Sequence, residues 1–179
     1  MGLGQDDWSL EMLRYCVQLN KTMLIDADAL NLIAQHEITV NTPLVITPHP
    51  GEAARLLSTE TELNSADIQK NRFDAVKKLY EMFDTGEPLS VILKGSGTLI
   101  FNGKKVKVCS LGSPAMAAPG MGDVLSGIVI ALLAQGITLS DAAELAVCLH
   151  AAAAEKVIDG KTRGLIASDI IDFLPKVLQ

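Results

Sequence analysis

Apolar positions along the chain alternate between short continuous runs and stripes of helical spacing. Trp8, Met12, Leu13, Cys16 and Leu19 recur every three or four residues, which predicts an amphipathic helix over residues 7–19, after a turn at Gly2-Leu3-Gly4. A short strand is expected at 22–25, ending in Asp26-Ala27-Asp28, with Asp28 as the cap of a helix over 29–35. A second apolar run at 44–47 is broken by Pro48-His49-Pro50-Gly51 and followed by a helix over 52–57. One long helix is expected over 65–83, with Ile68, Phe73, Val76, Leu79 and Tyr80 facing inward. A buried strand at 89–93 enters Lys94-Gly95-Ser96-Gly97. Alternation over 98–101 and 105–109 around Asn102-Gly103 predicts a hairpin with a type I′ turn. Helices at 123–135 and 140–158 follow, and a last short one starts near Ser168-Asp169.

Strand, loop and helix thus repeat, which implies an α/β fold: an open, mostly parallel sheet with helices on both faces and one hairpin. In such sheets ligands gather at the carboxyl ends of the strands. Asp26, His49, Lys94 and Asp123 all follow predicted strands. At 179 residues, 49% hydrophobic and with a mean hydropathy of +0.30, the chain suits one domain spanning 1–179. The longest apolar stretch, 124–134, is too short to cross a bilayer, and the first residues lack the basic and apolar regions of a secretory signal. A cytoplasmic protein with no membrane partner is expected. Cys16, Cys109 and Cys148 are an odd, widely spaced set within apolar patterns, read as free buried thiols. His36, His49 and His150 lack ligand spacing, so no protein-held metal is expected. A net charge of −6 with basic residues clustered only at Lys104, Lys105 and Lys107 argues against nucleic acid as a partner.

Candidate chemistry concentrates in three loops. Residues 112–122 are mostly Gly, Ala, Ser and Pro and deliver Asp123 into an apolar helix carrying Val124, Leu125, Ile128, Leu132 and Leu133 on one face. Such a loop lets backbone N–H groups approach phosphate oxygens at a helix N-terminus, with a carboxylate beside them that is either a helix cap or a catalytic base. His49, held between two prolines at a strand exit, is either a ligand contact or a loop histidine bonded to nearby backbone. Lys94-Gly95-Ser96-Gly97-Thr98 lacks the spacing of a Walker loop; its lysine suits phosphate and its glycines a close-lying nucleotide, or the segment is a simple tight turn.

Taken together, Asp26-Ala27-Asp28-Ala29-Leu30-Asn31, Thr47-Pro48-His49-Pro50-Gly51-Glu52-Ala53, Lys94-Gly95-Ser96-Gly97-Thr98, Gly120-Met121-Gly122-Asp123-Val124-Leu125-Ser126-Gly127 and Arg163-Gly164-Leu165-Ile166-Ala167-Ser168-Asp169 come in the order of a known family. The chain resembles the ADP/ATP-dependent NAD(P)H-hydrate dehydratases of the ribokinase-like superfamily over its whole length. The resemblance implies a lyase that repairs hydrated NADH or NADPH. Asp123 would act as base on the ring hydroxyl, and the terminal phosphoryl of ADP or ATP, with Mg²⁺, would turn that hydroxyl into a leaving phosphate. It also implies that Gly4, His49, Pro50, Gly51, Glu52 and Arg55 line the hydrated nucleotide. Lys94, Gly95, Ser96, Gly97 and Thr98 would hold the adenine nucleotide with Ala118, Pro119, Gly120, Met121 and Gly122. Asn31 is a weaker substrate contact, and Arg163 and Asp169 are expected to be structural. Family members carry further strands and helices before the Gly-Leu-Gly turn, so an N-terminally truncated domain is expected, along with homo-oligomers. A ribokinase-like kinase acting on a vitamin-type alcohol and an inactive nucleotide-binding fragment are the alternatives.

Overall fold

Three short apolar runs become the parallel centre of a five-stranded sheet. A computed structural model describes residues 2–58 and 62–178. The strands β1 (Met23–Ile25), β2 (Leu44–Ile46), β3 (Leu89–Leu93), β4 (Thr98–Phe101) and β5 (Lys107–Cys109) lie side by side in chain order. β1 and β2 run parallel, as do β2 and β3, with Ile25 opposite Ile46 and Ile46 opposite Val91, whereas β4 returns antiparallel to β3. This in-phase register brings the carboxyl ends of β1, β2 and β3 to one edge, so that Asp26, Thr47 and Lys94 each follow immediately after a strand. All residues of β2 and β3 are buried, which is the pattern of parallel strands covered on both faces.

The chain forms two compact units. In the first, residues 2–95 and 99–107, the sheet is accompanied by α1 (Asp7–Gln18), α2 (Asp28–Gln35), α3 (Pro50–Leu57), α4 (Ser65–Lys70) and α5 (Arg72–Phe83). Its core joins Leu44, Ile46, Val91 and Leu93 of the sheet to Leu30 and Ile33 of α2, Ala53 and Leu56 of α3, and Val76, Leu79 and Phe83 of α5. Tyr80 and Phe101 add an edge-to-face contact, ring centroids 5.1 Å apart. In the second unit, residues 96–98 and 108–178, α6 (Met121–Ala134), α7 (Leu139–Ile158) and α8 (Ala167–Val177) pack on one another. Met121, Ala153, Ala154, Ile158, Leu165 and Ile170 form part of their shared core. The small side chains of α7 allow the close approach of its neighbours. Among the described residues no helix is long and apolar enough to cross a membrane.

Several elements differ from expectation. The helix expected over 65–83 breaks into α4 and α5 at Asn71, whose backbone (φ −128°, ψ 43°) leaves the helical region. The break shifts the phase of the second half, so Phe73 is exposed and Ala75 and Phe83 join Val76 and Leu79 inside. The Asn102-Gly103 connection is not a type I′ turn, which needs two left-handed residues: Gly103 has φ +83°, but Asn102 is not in that region. β5 begins only at Lys107, and a side chain on Gly103 would collide with the Tyr80 hydroxyl. Of the three free cysteines only Cys109 is buried; Cys148 sits on an exposed position of α7 and Cys16 is half-buried. Asp28 is the first residue of α2 and not its cap; the cap position falls to Ala27.

Two predictions follow from buried or strained positions. Ala27 adopts φ 52° and ψ −119°, a conformation that suits glycine and costs other residues about 1–3 kcal/mol. Because glycine gives back part of this in unfolded-chain entropy, Ala27→Gly is expected to raise stability by about 1 kcal/mol, read as a higher urea midpoint. His150, buried on α7 with its Nε2 unpartnered among the described residues, is pushed by desolvation from 6.5 to about 4. Between those values the unfolded chain binds a proton that the folded chain refuses, so stability falls as the pH drops through this window. Unfolding at pH 7 and pH 5 should differ by about 2 kcal/mol more in the wild type than in His150→Leu; equal pH slopes would contradict the assignment.

Candidate active site

At the carboxyl ends of β1, β2 and β3 the first unit holds a buried cluster of charges. The Lys94 ammonium lies 2.7 Å from Asp26 Oδ1 and 3.9 Å from Glu52 Oε2. The side chains of Asp26 and Glu52 are only 2% and 4% exposed, and that of Lys94 21%. Backbone groups complete the cluster: Asp26 Oδ1 also accepts from the N–H of Ala27 at 2.9 Å, and Glu52 Oε2 from the N–H of His49 at 2.7 Å. The N–H of Lys94 donates to the Pro48 carbonyl at 2.9 Å, tying the end of β3 to the loop after β2.

His49 is the N-cap of α3. Its Nδ1 accepts from the N–H groups of Gly51 (2.9 Å) and Glu52 (3.3 Å), while Glu52 returns a carboxylate oxygen to the His49 backbone. This is a capping box with an imidazole in the place of a hydroxyl, and Pro50 fits the first helical position, where no N–H is needed. His49 Nε2 faces Glu52 Oε1 at 3.2 Å. The ring folds so closely over the helix start that a Cβ on Gly51 would come within 2.8 Å of His49 Cε1. Of the two readings open from sequence, bonding to nearby backbone is therefore what the ring nitrogen does. Half-burial pushes the His49 pKa below the ordinary imidazole value; Glu52 opposes this, Lys94 and Arg55 reinforce it, and Asp26 opposes it.

Nearby, the Gly4 turn is held by Asp28, whose carboxylate accepts from the Gly4 N–H at 3.0 Å and from Gln5 Nε2 at 3.2 Å. Gly4 has φ +85°, and a side chain there would meet Ser9 Oγ at 2.9 Å. Arg55 donates from Nε to Asn31 Oδ1 at 2.7 Å, joining α3 to α2. Gly95 takes φ +146°, with Arg72 Nη2 3.1 Å from where a Cβ would sit. The Lys94 side chain thus pairs with Asp26 and lies near Glu52, the latter one of the residues expected to face substrate.

The second unit holds the small-residue loop. The N–H of Gly112 donates to Glu155 Oε1 of α7 at 2.8 Å, and Ser113 caps a single 3-10 turn over Pro114–Met116 by accepting from Ala115 N at 3.2 Å. Gly120, in the left-handed region at φ +82°, starts α6 without any side-chain cap. Its hydrogen faces Ala167, where a Cβ would come within 3.1 Å of the alanine methyl. The N–H groups of Ala118, Gly120, Met121, Gly122 and Asp123 find no acceptor among the described residues. Pro119 has no N–H to offer, which narrows the donors expected over 118–122.

Asp123 occupies the third position of α6 and is exposed. Its carboxylate makes no hydrogen bond or ion pair with a described residue, so the helix-cap reading fails. Five free N–H donors, the positive end of a long apolar helix and an uncommitted carboxylate share one loop. That set can bind an anion and accept a proton beside it. Asp169 carries a structural bond, its Oδ2 accepting from the N–H of Ile166 at the start of α8 at 3.0 Å. Asp26 is the site residue that the sequence underplayed: it stood in a quoted motif, but only the three-dimensional pairing with Lys94, 68 positions away, gives it a task.

A model of the NAD(P)H-hydrate dehydratase family matches residues 1–176. The chain is 43% identical to the bifunctional NAD(P)H-hydrate repair enzyme Nnr of Vibrio cholerae over 99% of its own length and 34% of that protein. It is 38% identical to the ADP-dependent (S)-NAD(P)H-hydrate dehydratase of Neisseria meningitidis, over 84% of this chain and 51% of the relative. Among solved structures, the Bacillus subtilis ADP/ATP-dependent NAD(P)H-hydrate dehydratase, co-crystallised with ATP/Mg²⁺ and soaked with CoA, superposes with a TM-score of 0.84 at 27% identity. The match covers 99% of this chain and 63% of that one. A ribokinase-like superfamily protein of Enterococcus faecalis shares the fold at a TM-score of 0.83. The chain spans about a third of the length of the bifunctional relatives it matches. With the motifs in order from the Gly4 turn to α8 and a match over nearly all of its residues, the chain belongs to the NAD(P)H-hydrate dehydratase family.

Proposed function

We propose that this chain carries the phosphoryl-handling and base-supplying part of an ADP- or ATP-dependent dehydratase acting on hydrated NADH or NADPH. The observation that carries the reading is Asp123: an exposed carboxylate with no partner among the described residues, one turn from a row of unpaired N–H groups. The donors at Ala118, Gly120, Met121 and Gly122 suit the oxygens of a terminal phosphate, and Gly120 lets the backbone turn there without a side chain. Hydroxide is a poor leaving group, and the nucleotide supplies the phosphoryl group that makes it a good one. Asp123 accepts the proton of the ring hydroxyl as that oxygen becomes a nucleophile. The free N–H groups and the α6 N-terminus then meet the charge growing on the phosphate oxygens.

The remaining roles are distributed by position. Residues 95–98 offer backbone and small side chains to the adenine nucleotide. The loop over 48–52, with Arg55 and the Gly4 turn, offers a wall for the hydrated nicotinamide nucleotide. Among the described residues no group of three His, Cys, Asp or Glu side chains is placed to hold a metal ion. The Mg²⁺ implied by the family would therefore be carried on the nucleotide phosphates, where it offsets their charge.

The test is direct. Chemically hydrated NADH is mixed with the protein, Mg²⁺ and either ADP or ATP, and recovery of the reduced-nicotinamide absorbance is followed. Asp123→Asn is expected to lower turnover by about 10²–10⁴-fold while calorimetry shows nucleotide affinity changed by no more than a few-fold. Turnover retained in the variant removes Asp123 as base. A stable phosphate ester formed from an alcohol, without recovery of reduced cofactor, would instead identify a kinase.

A further inference from the structure

The charge cluster at the ends of the parallel strands has an order of dependence. His49 Nδ1 accepts two backbone N–H groups, so it carries a lone pair, and a neutral ring must hold its proton on Nε2. That nitrogen lies 3.2 Å from Glu52 Oε1, so the Nδ1 edge of the ring is taken by the helix cap and the Nε2 edge sits beside a buried carboxylate. Glu52 is almost fully buried and is placed by its bond to the His49 backbone and by Lys94 3.9 Å away. Lys94 in turn is bound more tightly to Asp26, at 2.7 Å. Asp26 is aimed by the strained backbone of Ala27, whose N–H it accepts. We infer that Asp26 is a positioning residue: it anchors Lys94 against Glu52 and so holds Glu52 beside His49, whose Nε2–H tautomer the helix cap sets, presenting the face and carbon edge of a neutral imidazole to the substrate.

The consequence is a role for His49 in shape and not in proton transfer. A neutral ring with Nδ1 in the helix cap and Nε2 beside Glu52 forms a flat, uncharged wall, which suits a planar or partly saturated heterocycle better than a phosphate. This half of the inference rests on the proposed dehydratase reading; the tautomer and the dependence of the ring's charge surroundings on Asp26 do not.

The charges around His49 come from every neighbouring element: Glu52 and Arg55 on α3, Lys94 after β3 and Asp26 after β1. Removing one of them shifts the ring's protonation midpoint in a direction set by its sign, whereas a purely structural role has no sign. The measurement is nitrogen-15 NMR of histidine-labelled protein across pH, with the His49 signals assigned by their loss in His49→Gln. The wild type should show the Nε2–H tautomer, with a midpoint below that of a free imidazole. Lys94→Met should raise the midpoint by about half a unit or more, and Asp26→Asn should lower it, because Lys94 is then left to Glu52 and His49 alone. Lys94→Arg should restore the wild-type midpoint. If Lys94→Met does not fold, Asp26→Asn decides alone: an unchanged or raised midpoint overturns the inference, as does an Nδ1–H tautomer in the wild type. In turnover assays Asp26→Asn should raise KM for the hydrated cofactor about threefold or more and leave KM for ADP unchanged; the reverse pattern overturns the wall. Because the NMR needs no substrate, failure of the wild type to turn over would count against the dehydratase reading only.

Discussion

Two carboxylates buried at the end of a parallel sheet, with one ammonium between them, are the constraint around which the first unit is built. Taking an ion of this size out of water costs several kcal/mol even after relaxation, and only close partners and further hydrogen bonds offset it. Here the partners come from three strands and a helix: Asp26 after β1, the His49 N–H after β2, Lys94 after β3 and Glu52 on α3. The short parallel strands therefore depend on one another twice, through their ladder and through charges that lose compensation if any strand slips. A slip of one residue would turn β2 and β3, buried on both faces, against a different set of side chains and also carry Lys94 away from Asp26.

The same cluster accounts for two locally unfavourable features. Ala27 takes a glycine-like conformation because Asp26 must turn inward to Lys94 while Asp28, two residues on, turns outward to the Gly4 N–H. Gly51 is required for the opposite reason. Its backbone is ordinary, but the His49 ring occupies the space a side chain would need. Strain and close approach of this kind are concentrated at ligand sites, where the surrounding structure holds them in place.

How much of this was legible in the sequence depends on the range of the interaction responsible. Period and punctuation located β1 to β3 and α6 to within about two residues, because burial of an apolar run and a proline or glycine stop are local facts. The failures were tertiary. Nothing in residues 65–83 marks Asn71 as a break, since asparagine is only mildly unfavourable within a helix, and with the break unseen Phe73 was placed inside. Asn102-Gly103 carried a strong hairpin signal, yet Tyr80 packs where the turn closes and the second strand starts late. The pairing of Lys94 with Asp26, 68 positions earlier, was equally out of reach, because it exists only once the strands are parallel. Asp123 was the reverse case: the sequence left cap and base equally open, and the left-handed Gly120 moved the cap position away from it.

The second unit poses an electrostatic question of its own. Anions are drawn to the start of α6 by the helix dipole and by five unpaired N–H groups, but Asp123 stands at the same end, and the whole chain carries a net charge of −6. A polyphosphate arriving alone would meet a carboxylate at close range, a repulsion that works against the dipole, worth about 0.3–1 kcal/mol at an exposed terminus. The described residues place no third acidic or imidazole ligand from which a metal cage could be made. On the proposed function, a cation that travels with the phosphates offsets this charge, and the second unit supplies directional donors and one free carboxylate. On the same reading a diphosphate and a triphosphate present the same kind of terminal group to these donors.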